Sequence, residues 1–518
     1  MVTTATALGV TVLTLAAFAA LGVWYSRGRV ETIEDFLTAR NTTGAGMTTA
    51  TLIASSMGAW ILFSPAEAGA AFGGLAAVVG YAVGSAVPLW LFVSVGTRIR
   101  ELIPEGHSLT EYVYARYGPW MYAYVLVITL FYMFIFLSAE MTGIASALGL
   151  VAGVPNWQTA ALVGVFVLIY TGYGGLVASI FTDTVQTLVI LPLLAVGFAG
   201  AILSLGGTGA IYGSVVRAQP QLLNPGYVPG VTFGIYVVFA IVGANMFNQG
   251  QWQRVFAAKD TETLRRSFVL AGVVVVPMIL LAGLFGLAAA GMGLLEKGSA
   301  SVAFFLVLEA AFPAWITLAV VVLVLLLVTS TADTLFNAIV SIVTADLPRL
   351  LEEPSGETLS RAARALTVVV AAAAVFVGAQ GYSVLTLFLL ADLLAAASFI
   401  PLLHGLYSPR ATEWGALVAS VLGLAVGLVY FPTLRGLLAT IPGIGPALPT
   451  PSFLWSFVGA TVVSGVVTMA AARSTSSRFD LDALGREIRT LETSGPMTDG
   501  GRREQRHEPD TETDREEG

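Results

Sequence analysis

Residues 54–67 combine small, polar and helix-breaking side chains: Ala54-Ser55-Ser56-Met57-Gly58-Ala59-Trp60 is followed by Phe63-Ser64-Pro65-Ala66-Glu67. They lie inside one apolar stretch, residues 47–73, that is long enough to cross a bilayer as a helix. Pro65 lacks an N–H group and frees the carbonyl one turn earlier. Because free backbone groups are tolerated at membrane depth only where they are buried in protein or line a cavity, the stretch predicts a membrane helix interrupted at an internal site.

The composition indicates a polytopic membrane protein. Hydrophobic residues make up 56% of the 518 residues and charged residues 11%, against about 25% charged residues in an average soluble domain. This excludes a soluble enzyme of ordinary build, a disordered protein and a nucleic-acid-binding protein. Cysteine is absent, which excludes disulfides and thiolate metal sites.

The apolar pattern predicts an all-α protein with about thirteen transmembrane helices. The first is expected to be a retained helix and not a signal peptide. The predicted spans are 4–25, 47–73, 75–97, 119–150, 157–178, 184–206, 231–250, 267–294, 313–345, 362–380, 382–408, 414–431 and 453–472.

Basic residues predict the orientation. One set of alternate loops, with the start of the C-terminal tail, holds 16 Arg and Lys residues, whereas the opposite loops hold Arg217, Lys297 and Arg435. By the positive-inside rule the N-terminus is expected outside and the C-terminus inside a cell membrane that the chain crosses several times.

A second interrupted helix is predicted in the seventh span, which contains Gly243, Asn245, Asn248, Gln249, Gly250 and Gln251. The two interrupted spans open two blocks of five spans, residues 47–206 and 231–408. Because five is odd, the blocks have opposite topology in the membrane. Paired broken helices in inverted halves indicate a transporter whose site lies near the midplane. The flanking parts are an accessory helix and loop (1–46), two further helices (414–472) and a polar cytoplasmic tail (473–518).

The ninth span carries hydroxyls and a carboxylate in Thr329-Ser330-Thr331-Ala332-Asp333-Thr334. Ser330 and Asp333 lie on one helical face. A desolvated alkali cation needs hard oxygen ligands, which these hydroxyls and the freed carbonyls near Ala54 and Met57 would supply. Glu67, Glu140 and Asp392 are further ionisable groups inside spans, where such groups are functional candidates by default.

Three motifs make the chain resemble the sodium:solute symporter family over most of its length, from the entry sequence Glu34-Asp35-Phe36-Leu37 to the end of the eleventh span. They are Tyr170-Thr171-Gly172-Tyr173-Gly174-Gly175-Leu176 leading to Thr182-Asp183-Thr184-Val185-Gln186, then Gln253 to Asp260, and Ser330 to Asn337 followed by Asp346. The resemblance implies a LeuT-type inverted five-plus-five helix fold with extra helices at both ends.

The resemblance also implies a sodium site between the second and ninth spans. The matching positions are the carbonyls of Ala54, Met57 and Leu327 and the hydroxyls of Ser330 and Thr331. Asp183 matches an acidic position near the cytoplasmic sodium exit. The substrate is expected between the two broken helices and the eleventh span, and the candidate lining residues are Ser56, Trp60, Asn245, Gln249 and Asp392.

The prediction is therefore a sodium-coupled importer of a small polar solute, with Na⁺ as coupling ion and no organic cofactor or transition metal. Ser56 departs from proline carriers and Asn245 from sugar carriers, whereas Asn248 to Arg254 looks more like the urea-transporter branch. Some urea carriers are proton-coupled, so Asp333 or Glu67 is the alternative ion carrier.

Two other classes of function are alternatives. A sensor would need a separate partner, since about 45 residues follow the last span. A membrane-embedded enzyme would need a clustered nucleophile and base or a metal set, and the sequence shows neither.

Overall fold

The computed structural model describes residues 3–29, 37–296, 298–350, 356–434, 440 and 448–488. These residues form helices and contain no strand, apart from an isolated bridge between Thr43 and Ala258. The all-helical prediction is confirmed for this part of the chain. Residues 34–36 of the predicted entry motif and the tail beyond residue 488 lie outside it.

We number the α-helices in chain order. They are α1 (Thr4–Ser26), α2 (Ala45–Ser56), α3 (Trp60–Glu67), α4 (Gly74–Leu102), α5 (Leu109–Tyr117), α6 (Pro119–Ala152), α7 (Asn156–Ser204), α8 (Gly207–Ala218), α9 (Val228–Met246), α10 (Gln249–Ala257), α11 (Thr261–Gly291), α12 (Ala303–Ala311), α13 (Ala314–Leu350), α14 (Gly356–Gly378), α15 (Val384–Ala396), α16 (Phe399–Tyr407), α17 (Glu413–Tyr430), α18 (Phe453–Ser474) and α19 (Leu484–Glu487). A π-helical segment, Ala68–Gly73, joins α3 to α4, and 3₁₀ turns cover Pro220–Leu223, Ser299–Val302 and Leu481–Ala483.

Nine helical segments in the described residues are long and apolar enough to cross a membrane. The bent pair α15 and α16, with an angle of 41° between them, would make ten. Trp60–Leu102 counts there as one segment, although it covers parts of two predicted spans. Three shorter apolar helices lie at Asn156–Ile169, Ser299–Ala311 and Ala365–Gly378. The count of thirteen spans therefore stays a prediction.

The predicted gap between spans 157–178 and 184–206 is helical, because α7 runs through it. The direction of α7 changes at Gly175, which has φ 55° and ψ −154°. This backbone conformation is open to glycine and strained for other residues. Two helical segments thus meet at Gly175 of the quoted motif, and the second of them is Gly175–Ser204.

The two interrupted helices lie in the centre of the bundle. α2 packs against α7, α11 and α13, while α9 packs against α4 and α15. At one end, Thr43 donates its N–H to the carbonyl of Ala257 and accepts from the N–H of Lys259, each at 3.0 Å. The start of the first interrupted helix is therefore fixed to the end of the second.

Candidate functional site

The first interruption lies at Met57–Ala59, between α2 and α3. Met57 has the non-helical angles φ −114° and ψ 76°. The buried carboxylate of Glu140, on α6, accepts a hydrogen bond from the N–H of Ala59 at 2.7 Å and so caps the start of α3. The interruption falls within the predicted residues 54–67, and it precedes Pro65, which lies inside α3. The polar partner that stabilises the break is contributed by a distant helix.

The second interruption lies at Phe247 and Asn248, between α9 and α10. The side chain of Asn248 accepts a hydrogen bond from the N–H of Gly250 at 3.0 Å. The indole N–H of Trp252 donates to the carbonyl of Met246 at 2.9 Å. Both helix ends exposed by the break are thus bonded within a few residues of it.

A cavity of about 50 Å³ lies between the two breaks. Four of the five candidate substrate residues line it: Ser56, Trp60, Asn245 and Asp392. The remaining lining residues were not singled out for the pocket from the sequence; they are Tyr81, Tyr132, Phe136, Ile241, Ala244, Asn248, Gln251 and Phe388.

The fifth candidate, Gln249, does not line this pocket. Its side-chain carbonyl accepts from the N–H of Leu109 at 3.0 Å, and its amide donates to the carbonyl of His107 at 2.9 Å. Gln249 therefore connects α10 to the loop before α5. Gln251 occupies the pocket wall instead, where its amide donates to the hydroxyl of Ser56 at 2.9 Å.

The candidate sodium ligands lie on α2 and α13, which pack against each other. The carbonyl of Ala54 accepts one 3.2 Å hydrogen bond, from the N–H of Met57 just beyond the helix end. The Thr331 hydroxyl is buried and has no hydrogen-bond partner among the described residues, whereas the Ser330 hydroxyl donates to Asp183 at 2.5 Å. The carbonyl of Leu327 belongs to the same turn of α13.

Asp183 lies at the centre of a polar network next to these ligands. Its carboxylate accepts from the hydroxyl of Thr51 at 2.6 Å and pairs with the guanidinium of Arg254 at 3.0 Å. Arg254 also donates to the hydroxyl of Thr334 at 2.8 Å. Both charged side chains are fully buried. Asp183 was predicted from the sequence as an ion-pathway residue, and Arg254 belongs to the motif Gln253 to Asp260. Nothing in the sequence predicted that the two residues pair.

The two proposed proton carriers occupy different places. Asp333 is buried on α13 and accepts from the side-chain amide of Asn337 at 2.8 Å. Glu67 lies at the end of α3 and accepts from the hydroxyl of Ser383 at 2.8 Å. Ser383 also caps the start of α15. Glu67 therefore connects the first interrupted helix to a helix of the pocket wall.

Asp260, the last residue of the Gln253–Asp260 motif, stabilises the start of a helix. Asp260 caps α11 and accepts from the N–H of Thr263 at 2.7 Å, and this bond lowers the pKa of the Asp260 carboxyl. In the described part of the chain, no group of three or more His, Cys, Asp or Glu residues is arranged to hold a metal ion.

Sequence comparisons identify relatives of this chain. Residues 36–423 match the profile of the sodium:solute symporter family. A spermidine transporter of Candida albicans is 30% identical over 61% of this chain and 60% of its own length. A urea–proton symporter of Oryza sativa subsp. japonica is 23% identical over 95% of this chain and 74% of its own. The chain thus matches less than two thirds of the Candida relative.

Structural comparison identifies the fold. A Na⁺-coupled sialic acid symporter, in a substrate-bound outward-open state, superposes with a TM-score of 0.71, at 16% identity over 91% of this chain and 98% of its own. The described helices therefore have the LeuT-type fold that the sequence predicted.

Proposed function

Because this chain belongs to the sodium:solute symporter family, a family of transporters and not of enzymes, we propose that it is a sodium-coupled importer of a small polar organic solute. It would work by alternating access in the cell membrane. Its proposed ligands are the solute and Na⁺, with no organic cofactor.

One observation carries the sodium proposal: α2, which ends in a break at Met57, packs against α13, where Thr331 has a buried hydroxyl without a partner among the described residues. Burying a hydroxyl without a hydrogen bond costs about 1–3 kcal/mol, so Thr331 is expected to gain a ligand in the working protein. Na⁺ bound to Ser330, Thr331 and the carbonyls of Ala54, Met57 and Leu327 would satisfy this hydroxyl.

Bound Na⁺ would couple sodium entry to solute entry by joining α2 to α13. If it favours the state in which the solute pocket is organised and open to the outside, solute and sodium each raise the affinity for the other. The membrane potential contributes about 2.3 kcal/mol per charge per 100 mV to sodium entry. Release past Asp183 on the cytoplasmic side would complete the cycle.

The proposal keeps the predicted topology. It has thirteen spans, with the N-terminus outside, the C-terminus inside, and the inverted repeats at 47–206 and 231–408. The breaks at Met57–Ala59 and Phe247–Asn248 support it, since they fall near the start of one repeat and within the first span of the other.

Hydroxyl deletions test the sodium site. We expect Ser330→Ala and Thr331→Ala each to raise the sodium concentration for half-maximal uptake about tenfold, since each removes a ligand worth roughly 1.5 kcal/mol or more. Ser341→Ala is the matched control, because Ser341 is another buried hydroxyl on α13 without a partner. Unchanged sodium dependence in both test variants would contradict the site.

A second candidate is proton-coupled import. It is favoured by the similarity to a urea–proton symporter, which extends over 95% of this chain, and by the buried carboxylate of Asp333. In that case Asp333→Asn or Glu67→Gln would abolish accumulation driven by a proton gradient, while the two hydroxyl variants would leave uptake unchanged.

A further inference from the structure

The pocket between the two breaks has an aromatic wall. The rings of Trp60 and Tyr81 are stacked with centroids 6.0 Å apart, and Phe388 meets Trp60 edge-on at 6.1 Å. Phe136 contacts Phe388 at 5.0 Å and Tyr132 at 5.9 Å. Five rings from four helices, α3, α4, α6 and α15, therefore form one connected surface. The face of an aromatic ring attracts a cation by its quadrupole.

The same pocket contains one carboxylate. Asp392 is 4% exposed, and neither oxygen has a hydrogen-bond or ion-pair partner among the described residues. None of the residues that line the pocket is Arg or Lys. Burial of a carboxylate without a partner is costly, so the bound ligand is the natural source of the missing partner.

Three buried polar atoms of the pocket lining have no hydrogen-bond partner among the described residues: acceptors on Asp392 and Gln251, and one donor, the indole N–H of Trp60. The side-chain amide of Gln251 donates to Ser56, which leaves its carbonyl oxygen available to a ligand. Asp392 and Gln251 thus both present acceptors to the pocket. A cation that carries N–H groups can bond to both of them and lie against the rings.

From these observations we infer that the transported solute is a small organic cation with N–H donors, an amine or guanidine in its protonated form. Asp392 is its counter-ion, and Trp60, Tyr132 and Phe136 form its aromatic surroundings. This inference rests on the proposed function, since it treats the pocket as the substrate site, but it does not depend on which ion drives transport.

The test is calorimetric titration of the purified full-length protein with two matched pairs of probes. In the first pair, guanidinium and urea share a planar shape and differ in charge. In the second pair, butylammonium and 1-butanol share an alkyl chain, and only butylammonium carries a charge at its end. We expect each cation to bind at least about tenfold more tightly than its neutral partner. Equal affinity within both pairs, or tighter binding of urea, would overturn the inference.

Variants locate the effect in the pocket. Asp392→Asn should remove the preference for guanidinium over urea, whereas Glu309→Gln, which alters an exposed acid on α12, should keep the preference. If Asp392→Asn does not fold, Trp60→Leu provides the second test, and we expect the ratio of guanidinium to urea affinity to fall about fivefold. A cation preference that survives in a folded Asp392→Asn protein, or in Trp60→Leu at full strength, would overturn the assignment.

Sodium is tested separately by repeating the titrations with potassium chloride in place of sodium chloride. A cation preference that persists without any sodium dependence would contradict the sodium coupling and still support the charge of the solute. Sodium-dependent binding of the neutral probes alone would support sodium coupling and contradict the positive charge of the solute.

Discussion

The ion pair between Asp183 and Arg254 is the most consequential pair of residues in the bundle. Both side chains are fully buried, and they join α2, α7, α10 and α13 through Thr51, Ser330 and Thr334. A buried pair adds little net stability relative to an apolar pair, but removal of one partner leaves a buried charge unbalanced.

We therefore expect Asp183→Asn to lower the free energy of unfolding by about 3–5 kcal/mol, because Arg254 loses its counter-ion. The double variant Asp183→Asn, Arg254→Gln should recover much of this loss. Thermal or denaturant unfolding of the purified proteins measures both. If the single variant is as stable as the parent protein, the pair is not buried as described.

Gly58 is the second residue on which the site depends. A Cβ atom at this position would lie 2.0 Å from Oε1 of Glu140. Gly58→Ala should therefore push the carboxylate away from the N–H of Ala59 and cost about 1–3 kcal/mol.

Gly46→Ala is the control for this substitution, since no atom lies within 4 Å of the added Cβ. Gly46 is the second residue of α2, and Gly46→Ala should be neutral or slightly stabilising there, because alanine has the higher helix propensity. Equal melting temperatures for the Gly58 and Gly46 variants would refute the contact with Glu140.

These residues also show where sequence reasoning ended. The small residues and Pro65 predicted an interruption, yet its position is set by a carboxylate 81 positions away in the chain. Asp183 and Arg254 are 71 positions apart. A pattern in one segment contains no record of which distant segment packs against it, so neither pairing was predictable from one sequence.

At the scale of elements, the breaks in α2/α3 and α9/α10 create the pocket. Each break exposes backbone groups that need partners inside the membrane, and local side chains supply several of them. Asn248 caps α10, and we expect Asn248→Ala to destabilise the protein by about 1 kcal/mol.

Asn248→Asp is the matched variant, because it keeps an oxygen that accepts from the N–H of Gly250. It should retain most of the stability that the alanine variant loses. Equal melting temperatures for Asn248→Ala and Asn248→Asp would contradict the role of Asn248 as the cap of α10.

The break in the second helix also explains the exchange of Gln249 for Gln251. Side chains two positions apart on a helix are separated by about 200° around its axis, so Gln249 and Gln251 face opposite sides of α10. The chain is not helical between Met246 and Gln249, so the helical periodicity of α9 does not continue into α10. The pattern of α9 therefore does not predict which side of α10 faces the pocket. The sequence correctly suggested a polar segment here and could not assign its faces.

At the scale of the whole molecule, the helical bundle with two interrupted helices was predictable because long apolar runs and helix-breaking residues are local patterns. The LeuT-type fold was implied by the resemblance to the sodium:solute symporter family. The number of spans was less accessible. The apolar helices Asn156–Ile169 and Ala365–Gly378 are shorter than the other candidate spans. Basic residues predict the orientation through their distribution over the loops, and the orientation stays a prediction.

The central claim is that sodium drives solute entry, and uptake into proteoliposomes tests it most directly. The probes are urea, spermidine, pantothenate and proline, with and without an inward sodium gradient. We predict that at least one solute accumulates with the gradient and that accumulation is lost when potassium replaces sodium on both sides. Uptake that ignores sodium and follows an imposed proton gradient would contradict the claim and transfer the coupling role to Asp333 or Glu67.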